Sequence, residues 1–165
     1  MSDVPLNLLS VSTNVHTLGT SFRAATRSIS EYFGLRKLGA RLVVLEPGQK
    51  AWPRHYHINN DELFVVLQGA GTCSSDDVVS PLKEHDVIGF PAGATGAAHQ
   101  IEAGPDGLSY LAVSSMLEPD IVIYPNSQKF AVFAGSAPGG DPIDRTFTHI
   151  GSLNEALDYL DGEEP

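Results

Sequence analysis

Two histidines and a glutamate lie close enough along the chain to bind a metal ion together. His55 and His57 flank a single residue, and residues two apart in a β-strand point to the same face. Residues 58–61 read Ile-Asn-Asn-Asp, which indicates a turn that brings Glu62 back beside the histidines. Two neutral imidazoles and one carboxylate are good ligands for a divalent transition metal. An ordinary surface hairpin with these groups in water fits the same short pattern, so both alternatives stay open.

Two glycines frame this motif at regular spacings. Gly48 lies seven residues before His55, and Gly69 lies seven residues after Glu62. The string resembles the first sequence motif of the cupin superfamily, typically G(x)5HxH(x)3–4E(x)6G, with one extra residue before His55. The resemblance extends over roughly residues 38–115.

The second cupin motif, typically G(x)5PxG(x)2H(x)3N, is matched less closely. Residues 86–99 contain the Asp-x-x-x-Phe-Pro-Ala-Gly…Gly-x-Ala-His stretch that small single-domain cupins carry. Three residues are inserted before Gly96-Ala97-Ala98-His99, His85 stands in place of the first glycine, and Ala103 stands in place of Asn. None of these departures removes a ligand of the family pattern, and we expect the insertion to alter the shape of one barrel mouth.

The resemblance implies an all-β, jelly-roll barrel (a double-stranded β-helix) that holds one divalent transition metal per chain. Carried onto this sequence, the implied ligands are His55, His57, Glu62 and His99. Three nitrogens and one oxygen leave one or two coordination positions open for substrate, water or dioxygen. Iron, manganese, nickel, cobalt, copper and zinc all accept such donors, so the sequence does not identify the metal.

A small organic ligand is expected beside the metal, in a mostly apolar cavity. Strand alternation places the residues two and four beyond Glu62 on its face, and Ile101 on the face of His99. Arg54 either binds a substrate carboxylate or pairs with a nearby acid. Gln100 and Glu102 are expected to point outward. The predicted pocket residues are Trp52, Arg54, Phe64, Val66, Gln68 and Ile101.

Short apolar runs separated by Gly and Pro dominate the chain, which has 16 glycines and 11 prolines. Such spacing predicts an all-β sandwich or barrel. Helices are predicted near residues 28–33 and over 153–161, where Ser152 and Glu155 form a capping-box pattern before a helical apolar repeat. The predicted strands are 40–45, 62–67, 71–74, 78–79, 87–90, 99–102, 108–113, 121–124 and 130–133. The predicted organisation is an N-terminal arm (1–37), a cupin core (38–115) and a C-terminal extension with strands and a short helix (116–165).

Charge and composition exclude several classes of function. The formal net charge is −10: residues 1–54 have seven basic and three acidic residues, and residues 55–165 have three and 17. This balance disfavours nucleic-acid binding. No apolar run approaches the ~18 residues of a membrane helix, and the N-terminus lacks signal-peptide features, so we expect no membrane association and a cytoplasmic location. The single cysteine, Cys73, excludes a multi-cysteine metal site and is expected to be a buried small residue.

Two classes of function remain. The first is a metal-dependent enzyme acting on a small organic substrate, dioxygenase-like or isomerase-like, with its general acid and base unassigned. The second is a non-catalytic cupin that binds or senses a metal and a small molecule. The resemblance also implies a homodimer in which the N-terminal arm is exchanged or pairs with a neighbouring sheet edge.

Overall fold

A computed structural model of the chain describes residues 4–93 and 98–163. These residues form eleven β-strands, one short α-helix and two 3-10 turns, Pro125–Ser127 and Pro142–Asp144. None of the described helices is long and apolar enough to cross a membrane. The elements are β1 Asn14–Leu18, β2 Phe22–Ser28, α1 Ile29–Phe33, β3 Leu38–Leu45, β4 Tyr56–His57, β5 Glu62–Ser75, β6 Val78–Lys83, β7 Val87–Phe90, β8 His99–Ser115, β9 Asp120–Tyr124, β10 Lys129–Ala134 and β11 Phe147–Ser152.

The strands form two antiparallel sheets. The larger has the order β1-β2-β3-β8-β5-β6, with β7 paired to β5, and the smaller has the order β11-β10-β9-β4. The predicted all-β jelly-roll architecture is confirmed. The four predicted ligands do not all lie on one sheet. His57 lies in β4 of the smaller sheet, whereas Glu62 and His99 begin β5 and β8 of the larger sheet.

The core lies on the inward face of the larger sheet. Val43, Phe64, Val66 and Tyr110 are each at most 6% exposed. Alternation along β5 breaks after Val66, where a register shift against β8 marks a bulge. An extra residue reverses the faces of those that follow. Gln68, predicted to face inward, is therefore exposed, and that prediction is wrong.

Each of the nine strands predicted from sequence lies within an observed strand, and the short N-terminal helix is also confirmed. The Ser28 hydroxyl accepts a hydrogen bond from Glu31 N–H, and Gly34 ends α1 in the left-handed region. Strands β1, β2 and β11 were not predicted from the sequence. All five residues of β1 are exposed, so it lacks the apolar alternation that would have identified it.

The helix predicted over residues 153–161 is wrong. These residues form turns and irregular backbone, and the Ser152 hydroxyl accepts from Asn154 N–H instead of reaching Glu155. Leu157 is 82% exposed and Tyr159 is 92% exposed. An isolated helix this short is marginal in water and needs a surface for its apolar face. The described structure offers this segment no such surface.

Candidate metal centre

His55 and His99 lie side by side because their backbones pair. His55 N–H donates to the His99 carbonyl at 3.2 Å, and His99 N–H donates to the His55 carbonyl at 2.9 Å. Residues that exchange both hydrogen bonds stand directly opposite each other, with their side chains on one face. The two ring centroids are 5.0 Å apart. His55 Nδ1 lies 2.8 Å from the Pro53 carbonyl oxygen, so a proton on Nδ1 leaves Nε2 as the metal-binding nitrogen.

Glu62 completes a compact group with these two rings. Its Oε2 lies 3.1 Å from His99 Nε2. One donor atom from each of His55, Glu62 and His99 lies within 4.8 Å of the other two. Ligand atoms about 2.1 Å from one ion lie at most about 4.2 Å apart, so only a small adjustment separates this arrangement from a coordination sphere.

His57 approaches the same carboxylate from the smaller sheet. Its Nε2 lies 3.6 Å from Glu62 Oε2, although it is not part of the three-residue group. Its Nδ1 lies 2.5 Å from Oδ2 of Asp120, a side chain with no exposed surface. Asp120 belongs to β9, which pairs with β4. His57 therefore faces Glu62 through one ring nitrogen and Asp120 through the other.

Burial and charge set the protonation of the cluster. Burial lowers the pKa of His55 to about 4, so this ring is neutral at physiological pH. Burial alone would raise the pKa of Glu62, but the His99 hydrogen bond and the neighbouring imidazoles lower it to about 2. Burial likewise opposes a charge on His57, whereas the Asp120 hydrogen bond and the Glu62 charge raise its pKa. The cluster therefore presents an ionised carboxylate beside a neutral imidazole.

Aromatic rings enclose the cluster. Phe90 stacks on His99 with centroids 3.7 Å apart and planes 12° apart, and Phe64 meets the same ring edge-on at 5.4 Å. Tyr124 stacks against His55 at 6.1 Å. These contacts pack both imidazole rings against aromatic side chains.

The donor set fits a divalent transition metal. Imidazole nitrogens with one carboxylate oxygen suit such ions, and the neutral state of His55 leaves a lone pair for coordination. This group is mutually close and partly buried, with His99 packed between aromatic rings, which favours a metal site over a solvated surface hairpin. The structure thus favours the metal alternative for the motif.

Residues 41–113 match the family described as Cupin domain. The chain contains a cupin domain. Among solved structures, this cupin is similar to a "putative sugar phosphate isomerase" from Acidithiobacillus ferrooxidans, with 25% identity over 92% of this chain and 91% of that chain, and a TM-score of 0.75. A sugar phosphate isomerase of the cupin superfamily from Silicibacter pomeroyi shares 22% identity over 96% and 98% of the two chains, also with a TM-score of 0.75.

A predicted oxalate decarboxylase from Thermotoga maritima shares the fold over a shorter stretch. It is 21% identical over 69% of this cupin and 100% of its own chain, with a TM-score of 0.58. No curated protein matches the sequence significantly. Likeness to the two isomerase structures, in contrast, extends over nearly the whole of both chains.

Most of the predicted pocket residues belong to the core of this cupin. Phe64, Val66 and Ile101 are buried in it, and Trp52 packs against it from a partly buried position. Phe64 contacts His99, which belongs to the candidate metal-binding group. The remaining apolar residues support the barrel behind the site.

Arg54 forms an ion pair with Asp76. The sequence had left open whether it pairs with a nearby acid in this way or binds a substrate carboxylate. Its guanidinium lies 3.5 Å from Asp76 Oδ1, and its Nε donates to the Ala98 carbonyl at 3.2 Å. It borders a groove of about 390 Å³ that Gln100 and Glu102 also line. These two residues alternate with buried His99 and Ile101, so the groove lies on the opposite face of β8 from the metal cluster.

Sequence reasoning missed two residues of the site, Asp120 and Tyr124. Both lie in β9, beyond the two cupin motifs and beyond the family match. Asp120 alternates with buried Val122, and an acidic residue on the inward face of an apolar strand needs a polar partner. An acidic residue at an inward position of an apolar strand was therefore the sequence signal that could have identified Asp120. Gly96 and Ala97, which belong to the predicted second motif, lie outside the described residues.

Proposed function

We propose that this cupin is a metal-dependent isomerase of a small hydroxy-carbonyl compound, of which sugar phosphates are one class. The observation that carries the proposal is the group of donor atoms from His55, Glu62 and His99 within 4.8 Å of one another. His57 Nε2 faces the same carboxylate and is the proposed fourth ligand. Likeness over more than nine tenths of both chains to the Acidithiobacillus protein supports the reaction class.

The protonation states of the residues in this site suit polar chemistry. A bound divalent metal would supply a Lewis acid that polarises a carbonyl oxygen. Neutral His55 and ionised Glu62 are in the protonation states that coordination requires. Burial and the charge of Asp120 raise the pKa of Tyr124, so its phenol stays protonated beside His55 and is suited to donate a hydrogen bond to a substrate oxygen.

The test combines metal analysis with an exchange assay. Protein purified without added metal is analysed by elemental mass spectrometry, then loaded separately with Mn, Fe(II), Co, Ni and Zn. Each form is incubated with aldose and ketose phosphates in D2O, and proton NMR follows product formation and deuterium incorporation next to the carbonyl. We expect close to one metal per chain and turnover with at least one metal.

Glu62→Gln is the informative variant, and Glu102→Gln is its matched control. Glu102 is a half-exposed partner of Lys50 on the outer face of β8, so neutralising it leaves the cluster intact. We expect Glu62→Gln to lose most of the metal and the turnover, and Glu102→Gln to retain both. Metal binding without exchange in any form would favour the non-catalytic alternative. Oxygen consumption by the Fe(II) form without isomerisation would favour a dioxygenase.

A further inference from the structure

Asp120 makes two hydrogen bonds that fix its orientation. Oδ2 lies 2.5 Å from His57 Nδ1, and Oδ1 accepts from Asn59 N–H at 3.1 Å. The carboxylate is fully buried, so water does not compete for either oxygen. One side chain thus contacts both the metal-site histidine and the turn that leads to Glu62.

Only a carboxylate satisfies both partners when His57 Nε2 serves as a ligand. The Asn59 N–H is always a donor, and His57 must donate from Nδ1 if its Nε2 lone pair is to face a metal. Two donors need two acceptor oxygens. An asparagine at position 120 supplies one oxygen and one NH2 group, so one of the two partners would face a donor.

We propose that Asp120 is the positioning residue that holds His57 in its Nδ1–H tautomer and directs Nε2 toward Glu62. This inference rests on the proposed metal site for its functional meaning, but not for its structural content. In this tautomer the Nε2 lone pair faces Glu62 Oε2 at 3.6 Å, so Nε2 is available as a metal ligand. Asp120 hydrogen-bonds His57 and Asn59 and is not one of the proposed ligands.

The first experiment uses metal-free wild-type protein and its Asp120→Asn variant. Long-range nitrogen–proton NMR at pH 9 distinguishes the two neutral tautomers, and the His57→Gln spectrum assigns the ring. We expect Nδ1–H with a strongly deshielded proton in the wild type and Nε2–H in Asp120→Asn. An Nε2–H wild-type ring, or the same tautomer in both proteins, would overturn the proposal. If the variant fails to fold, the wild-type spectrum alone decides.

The second experiment measures metal affinity by chelator competition. Loss of such an outer partner weakens metal binding by about 10- to 100-fold, which we expect for Asp120→Asn. Asp141→Asn is the matched control, because Asp141 accepts one backbone hydrogen bond at an exposed turn, and its affinity should equal that of the wild type. Wild-type affinity in Asp120→Asn would contradict the inference. Absence of metal from the wild type would refute the proposed function. The NMR result would still test whether Asp120 sets the His57 tautomer.

Discussion

His55 and His57 occupy opposite electrostatic environments although one residue separates them. His55 contacts a backbone carbonyl and other imidazoles, and burial lowers its pKa to about 4. His57 contacts the buried carboxylate of Asp120, and its pKa is raised. The HxH pattern states only that both rings share a face. Their different partners come from the backbone before the motif and from a strand more than 60 residues later, so spacing alone did not predict them.

The metal-free protein should lose stability in mild acid because of His55. Its pKa is about 4 in the folded state and ordinarily 6.5, so the unfolded chain binds more protons between these values. Stability is therefore present above pH 6.5 and falls as the pH drops toward 4, by on the order of 3 kcal/mol from this group. Thermal unfolding from pH 7 to 4 measures the slope. His55→Asn should flatten it, and an unchanged slope would contradict this origin.

Cys73 should be unreactive in the folded protein, as its predicted burial implies. It is 4% exposed, and burial raises its pKa to about 11. At pH 8 the thiolate fraction is then about 100-fold lower than for an ordinary thiol, before access is considered. Iodoacetamide labelling followed by mass spectrometry should show at least this ratio between the native and the guanidinium-unfolded chain. Equal rates would contradict it.

At the scale of elements, the two motif glycines have different roles. Gly48 and Gly69 both have positive φ, +71° and +83°. A Cβ at Gly48 would meet nothing within 4 Å, whereas a Cβ at Gly69 would lie 2.3 Å from the Gly107 carbonyl oxygen. Gly69 therefore permits close packing of β5 on β8, in addition to its left-handed backbone conformation.

Replacing each glycine by alanine separates these roles. Gly48→Ala should cost about 1–2 kcal/mol for left-handed backbone, which lowers the melting temperature by roughly 2–8 °C. Gly69→Ala adds a clash with backbone, so its decrease should be at least twice as large. Calorimetry under identical conditions makes the comparison. Equal decreases would show that the neighbouring strand shifts freely.

The long apolar strands were predictable, whereas the local exceptions were not. Alternation identified β5 and β8 because their inward faces carry large apolar side chains. The bulge that exposes Gln68 is an irregularity in the pairing of β5 with β8, and strand alternation does not predict it. In the C-terminal segment, the reverse holds: Ser152 and the leucine spacing predict a helix, but no helix forms there. Its apolar side chains, such as Leu157, have no surface to pack against in the described structure.

The turn between His57 and Glu62 is held by distant chain. Asn60, 3% exposed, accepts from Leu117 N–H at 2.8 Å and donates to the Leu117 carbonyl at 3.0 Å. The Ser115 hydroxyl also donates to Asn60 Oδ1. Asn was interpreted from sequence as a turn former. The structure adds that its side chain joins the turn to the segment that leads into β9.

At the scale of the whole molecule, the candidate metal site depends on residues from both sheets. The family match ends at residue 113, yet Asp120 and Tyr124 contact the histidines from β9. Sequence motifs identified the candidate ligands because their spacing resembles that of the cupin motifs. They did not identify the supporting residues, because strand order across two sheets brings those together only in the folded chain.

The homodimer expected from sequence stays a prediction, and the larger sheet indicates where it would form. One edge of this sheet is β1, and the other is formed by β6 and β7, which both pair with β5. Pro81 lies within β6 and Lys83 ends it, and both residue types discourage pairing at an edge. β1, Asn-Val-His-Thr-Leu, has no proline, lysine or acid, and Val15 and Leu18 are 58% and 50% exposed. We therefore expect a second copy to pair along β1.

Lysine substitutions at the two edges test this expectation. Val15→Lys with Leu18→Lys adds repelling charges to β1, while Val78→Lys with Val79→Lys adds the same charges to β6, whose valines are 62% and 65% exposed. Sedimentation velocity should give a dimer for the wild type and the β6 variant, and a 17.6 kDa monomer for the β1 variant. Metal content should be equal in all three, because neither β1 nor β6 contributes a residue to the group of His55, Glu62 and His99. A wild-type monomer, or a β6 variant that dissociates as the β1 variant does, would show that association does not run through this strand.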